Sequence, residues 1–352
     1  MPTLYERAQQ EGTPLIDSSS ATFIWRDGSD TPPQLVGDFT GWGANPVELA
    51  GLEPGIWGAT VTLPPDAYVE YSFRYKFDIV ESLNDPLNPR LVFNGLDSVN
   101  NYFTMPQHQP NDLIRRKPGV KRGTITEHWL ETNMFMVDSH RKVWLYRPPV
   151  DMPTPLVIVW DGQDYLSRGR LNAIVDSLIA EGRIQPIALA FIESRPASRF
   201  IEYMQNEGSV ALLTTMILPF ASKHLNLLDA GEQPGIHGVL GSSMGGLMAL
   251  YAGLRAPDVF GHVVCQSGAF FFEDSRSDML AVDYVRQHPG LPLKIWQDVG
   301  TLEFLLAGNR KMHTLLVDNG YNVSYREYPG GHNQTSWADN TWRGLEAVYG
   351  TG

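Results

Sequence analysis

Between Ser20 and Met105 apolar and polar positions alternate in short runs, ATFIWRDG, PQLVGDFTGW, GIWGATVTL, YVEYSFRYKF and NNYFTM, each cut off by Gly, Pro, Asn or Asp. A period of two, broken this often, predicts short strands packed face to face, hence a small β-sandwich over residues 1–105. Residues 106–118 carry Pro106, Pro110 and Pro118 among polar neighbours and are expected to be a linker. From 119 to 352 the pattern changes. GTITEHWLE and KVWLYRPP read as an antiparallel pair. After them the apolar runs PLVIVWDG, IQPIALAFIES, GIHGVLGSSMGG, GHVVCQSGAF, PLKIWQDVG and NVSYREYPGG alternate with the helical spacing of RLNAIVDSLIAEG, VALLTTMILPFASKHL, GLMALYAGLRAP and NRKMHTLLVDNG. Apolar strand runs separated by helices predict a mostly parallel, doubly wound sheet covered on both faces, so residues 119–352 are expected to form an α/β domain behind the sandwich.

Composition then removes several classes of function. With 43% apolar and 19% charged residues the chain can fill a core, unlike a disordered segment. Its longest apolar stretches, such as Leu156 to Trp160 and Ala188 to Ile192, fall far short of the ~18 residues of a membrane span, so no membrane partner is expected. The opening residues MPTLYERAQQEGTPLID show no basic cap, apolar middle or small-residue cleavage site, which makes a cytoplasmic location the expectation. The one cysteine, Cys265, lies in an apolar run and reads as core. A formal net charge of −12 argues against nucleic acid, whose phosphates need clustered cations. The acidity is concentrated in residues 1–110, which hold 5 Lys and Arg against 14 Asp and Glu.

The chemistry-bearing feature is Gly241-Ser242-Ser243-Met244-Gly245, a Gly-x-Ser-x-Gly pentapeptide between the strand-like IHGVL and the helix-like GLMALYAGL. The bare pattern is weak, but its place between strand and helix is what a nucleophile elbow requires: a tight turn that lifts the serine oxygen above the sheet while small neighbours let strand and helix approach. Gly241, Gly245 and Gly246 meet that need, and Ser243 is the candidate nucleophile. The plainer alternative is a glycine-rich turn with a buried serine.

A serine of this kind needs a base, usually histidine, and in this order of elements base and acid follow the nucleophile along the chain. Only His262, His288, His313 and His332 do so. His262 begins a strand-like run and His313 sits in a helix-like one, whereas His332, in PGGHNQTSW, lies in a turn after the last strand and is the candidate base. The acid that orients it should follow LKIWQDV; Glu303 is preferred, with Asp298 the alternative because it falls within or at the end of that strand. Two N–H groups should meet the oxyanion: that of Met244, and that of Gln163 in the Asp161-Gly162-Gln163-Asp164 turn after PLVIVW.

These residues, together with VWDGQDY, SRFIEYMQNE, QSGAF, the DVGTLE segment with NRKMH behind it, and YPGGHNQTSW, resemble the esterase D and enterochelin esterase group of α/β-hydrolases over residues 119 to 350. The resemblance implies an α/β-hydrolase fold, a second oxyanion donor at Gln163, an acid at Glu303, and serine carboxylesterase activity through an acyl-enzyme. Gly37 to Trp42 (GDFTGW) and Asn84 to Pro89 (NDPLNP) resemble an immunoglobulin-like module of the glycogen-binding or isoamylase N-terminal type. Such modules can stack tryptophan on sugar, with Trp42 and Trp57 the candidates here, although filling the sandwich core or shaping the cleft is the preferred role.

The expected partner is a small-molecule ester, most simply a siderophore or similar aromatic acyl ester. The alternatives are a feruloyl or acetyl ester on carbohydrate, or a non-catalytic carbohydrate-binding scaffold. Asp161, Arg199 and Trp42 are the candidate substrate contacts; Arg168, Arg195 and Arg199 could counter an anionic substrate but are by default solvated surface. No cofactor and no metal are expected, since no His or carboxylate cluster has zinc spacing. Homo-oligomerisation is left open. FFFEDSRSD, residues 270–278, reads equally as a wall that selects the acyl group or as a packing loop.

Overall fold

The computed structural model describes residues 2–26, 31–76, 82–95, 98–271 and 279–351, so most of FFFEDSRSD, residues 272–278, lies outside the described residues. The chain divides into two compact units: Met1–Pro110 with Gly300–Phe304 and Tyr328–Ser336, and Asn111–Val299 with Leu305–Glu327 and Trp337–Gly352.

In the first unit a short helix, α1 (Leu4–Glu11), starts at Thr3, whose side chain accepts the Glu6 N–H while Glu6 reaches back to the Thr3 N–H, a capping box. Eight strands follow: β1 (Leu15–Asp17), β2 (Ser20–Arg26), β3 (Gln34–Gly37), β4 (Ala50–Glu53), β5 (Ile56–Thr62), β6 (Tyr68–Arg74), β7 (Leu91–Phe93) and β8 (Val99–Thr104). They form two antiparallel sheets, ordered β1-β2-β5-β4 and β3-β6-β8-β7. The alternation read in the sequence sets the burial: Ala21, Phe23 and Trp25 of β2 share a core with Val69, Tyr71 and Phe73 of β6 and Phe103 of β8. Ile24, on the opposite face of β2, is covered instead by Ala8 and Tyr5 of α1.

The second unit carries β9 (Thr124–Glu131), β10 (His140–Arg147), β11 (Leu156–Val159), β12 (Ala188–Ile192), β13 (Gly238–Ser242), β14 (His262–Gln266), β15 (Lys294–Gly300) and β16 (Asn322–Tyr328). The sheet order is β16-β15-β14-β13-β11-β12-β10-β9. β11 to β15 run parallel, and the expected antiparallel pair β9 and β10 closes one edge. The helices are α2 (Gly162–Ser167), α3 (Leu171–Ala180), α4 (Pro196–Tyr203), α5 (Glu207–Leu212), α6 (Leu218–His224), α7 (Met244–Arg255), α8 (Leu280–Gln287), α9 (Leu306–Asp318) and α10 (Gln334–Tyr349).

Successive residues of β11 serve opposite faces. Leu156 and Ile158 join one core with Leu247 and Leu250 of α7 and Met312 of α9, whereas Val157 and Val159 join another with Ile174 and Leu178 of α3 and Leu345 of α10. This is the doubly wound α/β-hydrolase architecture. Because β12 lies on one side of β11 and β13 on the other, strand order reverses at β11. The carboxyl ends of β11 and β13 therefore flank the crevice where such sheets bind ligands.

The boundary between units falls after Pro110, inside the expected linker. Beyond it Leu113 is buried in the second unit's core, and Asn111 is tied to α10 by its N–H to the Asp339 carboxylate at 2.9 Å and its amide to the Ala338 carbonyl at 2.8 Å. Among the described residues no helix is long and apolar enough to cross a membrane.

Candidate active site

Ser243 stands between β13 and α7 with φ 57° and ψ −124°, a left-handed conformation that costs a non-glycine residue roughly 1–3 kcal/mol. Its N–H donates to the Gln266 carbonyl at 2.9 Å, and its carbonyl accepts the Ala269 and Leu247 N–H groups at 3.0 and 3.1 Å, so the surroundings enforce the turn. The glycines are required by contact. A Cβ on Gly241 would lie 2.4 Å from the Gly245 carbonyl oxygen, and one on Gly246 would lie 3.0 Å from that of Gln266. Ser243 and Met244 are half-buried within otherwise buried surroundings.

Met244 is the first residue of α7 and Gln163 the second of α2, positions whose N–H groups have no acceptor within their own helix. β11 and β13 are neighbours, and the Trp160 N–H extends their pairing to the Leu240 carbonyl at 2.9 Å, so both helix starts emerge side by side from the sheet. The Gln163 side chain is held back from this edge: its Oε1 accepts the Ser194 N–H at 2.9 Å and its Nε2 donates to the Ser194 hydroxyl at 2.8 Å. That anchoring leaves the main chain of Gln163 as the group to offer.

Asp161 adopts a left-handed conformation just before α2, and its Oδ2 would lie 3.0 Å from a Cβ on Gly245, which places the carboxylate beside the elbow. Arg199 of α4 grips it through Nε at 2.7 Å and Nη2 at 2.8 Å and lies 5.0 Å over the Tyr203 ring, while the Tyr203 hydroxyl accepts the Asp161 N–H at 3.1 Å. Burial works against the guanidinium charge, yet the Asp161 charge and hydrogen bonds outweigh it and hold Arg199 above its ordinary pKa. The expectation of a solvated Arg199 is corrected here: the pair is bidentate and largely buried. Arg168 pairs with Asp164 at 3.1 Å, and Arg195 lies near Glu193 and Asp138 at 3.6 and 3.7 Å. Each of the three arginines therefore faces a carboxylate, and together they make no concentrated positive patch.

Asp298 is in β15, wholly buried, with Oδ2 accepting Trp296 Nε1 at 2.8 Å and Gln266 Nε2 at 3.2 Å. The same Gln266 amide donates to the Trp337 carbonyl at 3.1 Å, and its oxygen accepts the Tyr165 and Thr341 hydroxyls at 3.0 and 2.9 Å. Gln266 lies in VVCQSG, where position alone makes it one more strand residue; its hub role becomes visible only once β14, α2 and α10 meet.

In the first unit the loops after β15 and β16 bring His332 and Glu303 together. The imidazole Nδ1 lies 2.5 Å from Glu303 Oε2, and Glu303 Oε1 accepts the Gly300 N–H at 2.6 Å. The Glu303 carboxylate has no side-chain exposure and His332 only 15%, and Phe304 sets its ring 5.0 Å from the imidazole. The buried carboxylate thus orients the imidazole ring through Nδ1. Trp42, at the DFTGW turn, spends its indole N–H on Asp38 at 3.0 Å, and Trp57 packs partly against the sandwich core. Asp38 and Asn333, joined by a 3.0 Å hydrogen bond from the Asn333 amide, are residues of this loop environment that the sequence reading did not single out. Cys265 is core as expected, and burial pushes its thiol up.

A strained serine turn at the switch point of a doubly wound parallel sheet, with two helix starts beside it, belongs to an α/β-hydrolase fold. Residues 136–345 match the Esterase family, described as "Putative esterase", and the chain belongs to that family. It is 33% identical over 226 residues to the iron(III) enterobactin esterase of Dickeya dadantii, covering 59% of this chain and 51% of that one, so the match spans about half the length of the relative. The enterobactin esterase of Shigella flexneri, solved in the presence of enterobactin, has a TM-score of 0.75 at 20% identity over 93% of this chain and 92% of its own. A ferulic acid esterase from Anaeromyces mucronatus, in complex with ferulic acid, has a TM-score of 0.56 at 19% identity over 68% and 96%. At those identities the two structures speak for the shared fold.

Proposed function

We propose that the protein is a serine carboxylic-ester hydrolase working through an acyl-enzyme, with Ser243 as nucleophile, His332 as base, Glu303 as the acid that orients it, and the Met244 and Gln163 N–H groups as oxyanion donors. The observation that carries this reading is the strained conformation of Ser243 at the mouth of the parallel sheet, a conformation that persists only where the surroundings impose it. In the proposed sequence the Ser243 hydroxyl attacks the ester carbonyl as its proton passes to His332 Nε2. The imidazolium then protonates the departing alcohol, and water repeats the steps to release the acid. Glu303 supplies the opposite charge to the imidazolium and fixes its tautomer.

For the substrate we infer a siderophore-type or similar aromatic acyl ester, supported by the Dickeya dadantii relative's similarity across the esterase region. Because Arg168, Arg195 and Arg199 each face a carboxylate, we place recognition on the ester and its acyl group. The test is hydrolysis of short p-nitrophenyl esters, methyl ferulate, acetylated xylo-oligosaccharide and a catecholate trilactone by wild type and Ser243→Ala. Loss of turnover in the variant with the trilactone as preferred substrate is expected. Preference for methyl ferulate or the acetylated sugar would overturn the substrate class, and undiminished turnover by Ser243→Ala would overturn the mechanism.

A further inference from the structure

Asp38 begins the DFTGW turn of the sandwich, is 1% exposed, and faces three donors. The Glu70 N–H at 2.8 Å and the Asn333 amide at 3.0 Å reach Oδ2, and Trp42 Nε1 reaches Oδ1 at 3.0 Å. A carboxylate is buried at tolerable cost only where hydrogen bonds replace its hydration, and here two of the donors come from the sandwich and the third from the far end of the chain. The segment that supplies the third is the loop carrying His332. Gly331 approaches the carboxyl so closely that a Cβ there would sit 1.9 Å from Asp38 Cγ, so no side chain fits at 331 while Asp38 is in place. Asn333, holding Asp38 through its amide, accepts the Ser336 N–H on its Oδ1 at 2.8 Å and so ties the same loop to the start of α10. His332 is the residue between these two anchors.

We propose that Asp38 is a positioning residue for His332: it seats the 331–333 segment through Gly331 and Asn333 and so fixes where the imidazole stands. The inference rests on the reading of His332 as the base. Burial raises the Asp38 carboxyl, the Glu70 N–H and Trp42 indole pull it back down, Glu303 raises it and His332 lowers it, so the two carboxylates and the imidazole sense one another's charge. Among the described residues, β6 carries two further ionisable groups in its surroundings. The Tyr68 phenol is pushed up first by burial and then by the charge of Glu70, with a smaller contribution from Asp38, and the Glu70 carboxylate accepts the Asn100 amide at 2.9 Å.

The experiment compares wild type, Asp38→Asn, Asn333→Ala and Ser243→Ala on p-nitrophenyl acetate, with the His332 ring resonances followed by NMR. Asp38→Asn is expected to keep KM within about twofold, lose roughly tenfold in kcat, and displace the His332 ring resonances. Asn333→Ala is expected to lose kcat at constant KM with the His332 ring resonances likewise displaced, because the same loop loses its tie to Asp38. A folded Asp38→Asn whose His332 ring resonances are unmoved overturns the inference, whatever its kcat. If Asp38→Asn does not fold, Asn333→Ala decides: a kcat loss at unchanged KM supports the inference and wild-type kcat overturns it. Undiminished turnover by Ser243→Ala would instead remove the esterase reading, and the ring resonances would still report on Asp38.

Discussion

Glu303 uses its two oxygens for two different purposes: Oε2 meets His332 Nδ1 at 2.5 Å, and Oε1 is pinned by the Gly300 N–H at 2.6 Å. A carboxylate fixed at both ends holds an imidazole in one orientation more narrowly than one that can swing. Replacing Glu303 by Gln keeps the shape but changes which tautomer is supported, and kcat is expected to fall by roughly 10²- to 10⁴-fold with KM little changed. Asp298→Asn should instead lower the thermal midpoint, because Asp298 accepts from Trp296 and Gln266 inside the sheet. Steady-state kinetics and melting curves on both variants check the assignment; a larger kcat loss in Asp298→Asn would reverse it.

The backbone at Ser243 predicts an opposed effect on stability and activity. Glycine adopts φ 57° without a Cβ penalty, so Ser243→Gly should be more stable than wild type by about 1 kcal/mol and inactive. Ser243→Ala keeps the Cβ and should be inactive without that gain. Urea midpoints of the three proteins measure the difference, and equal midpoints for the glycine and alanine variants would show that the turn is unstrained.

Asp161 and Arg199 should be strongly coupled. Asp161→Ala leaves a largely buried guanidinium without its anion and is expected to cost about 2–3 kcal/mol, the lower end of buried-pair losses because the Arg199 side chain keeps 27% exposure. Arg199→Met retains much of the packing on Tyr203 and should cost less. A double-mutant cycle in urea gives the coupling directly; additive losses would mean the pair contributes nothing as a pair.

His237 makes stability depend on pH. It is 1% exposed and its Nδ1 accepts the Leu156 N–H at 3.0 Å, which requires the neutral ring. Burial, only partly offset by Asp229, pushes its pKa down to about 4. The unfolded chain, with histidine near 6.5, binds more protons through that interval, so stability should decline as pH falls from about 6.5 to 4, by up to about 3 kcal/mol for this residue. Denaturant midpoints against pH for wild type and His237→Gln test it; identical slopes would exclude His237 as the source.

The elements of the second unit were legible because a parallel strand buried on both faces is apolar at every position and its covering helices repeat at 3.6 residues. Gly238, Val239 and Leu240 of IHGVL open β13 and GLMALYAGL became most of α7, which put Ser243 at their junction. The order of elements likewise singled out His332 from the later histidines. The environment of Arg199 was not legible, because a charged residue on an amphipathic helix reads as surface unless its partner is known, and Asp161 lies 38 positions away. The same limit hid Asp38 and Asn333, 295 positions apart.

By itself, then, the order of residues determined the two kinds of architecture and the elbow glycines, and narrowed the candidates for the chemistry to a short set of side chains, since each follows from local burial periodicity or the steric demands of one turn. Only the tertiary structure decided which carboxylate meets the imidazole, what Arg199 grips, and that the loops after β15 and β16 group with the sandwich. Those outcomes depend on which distant loops become neighbours and whose hydrogen bonds replace lost water. Periodicity along one stretch of chain carries no record of either.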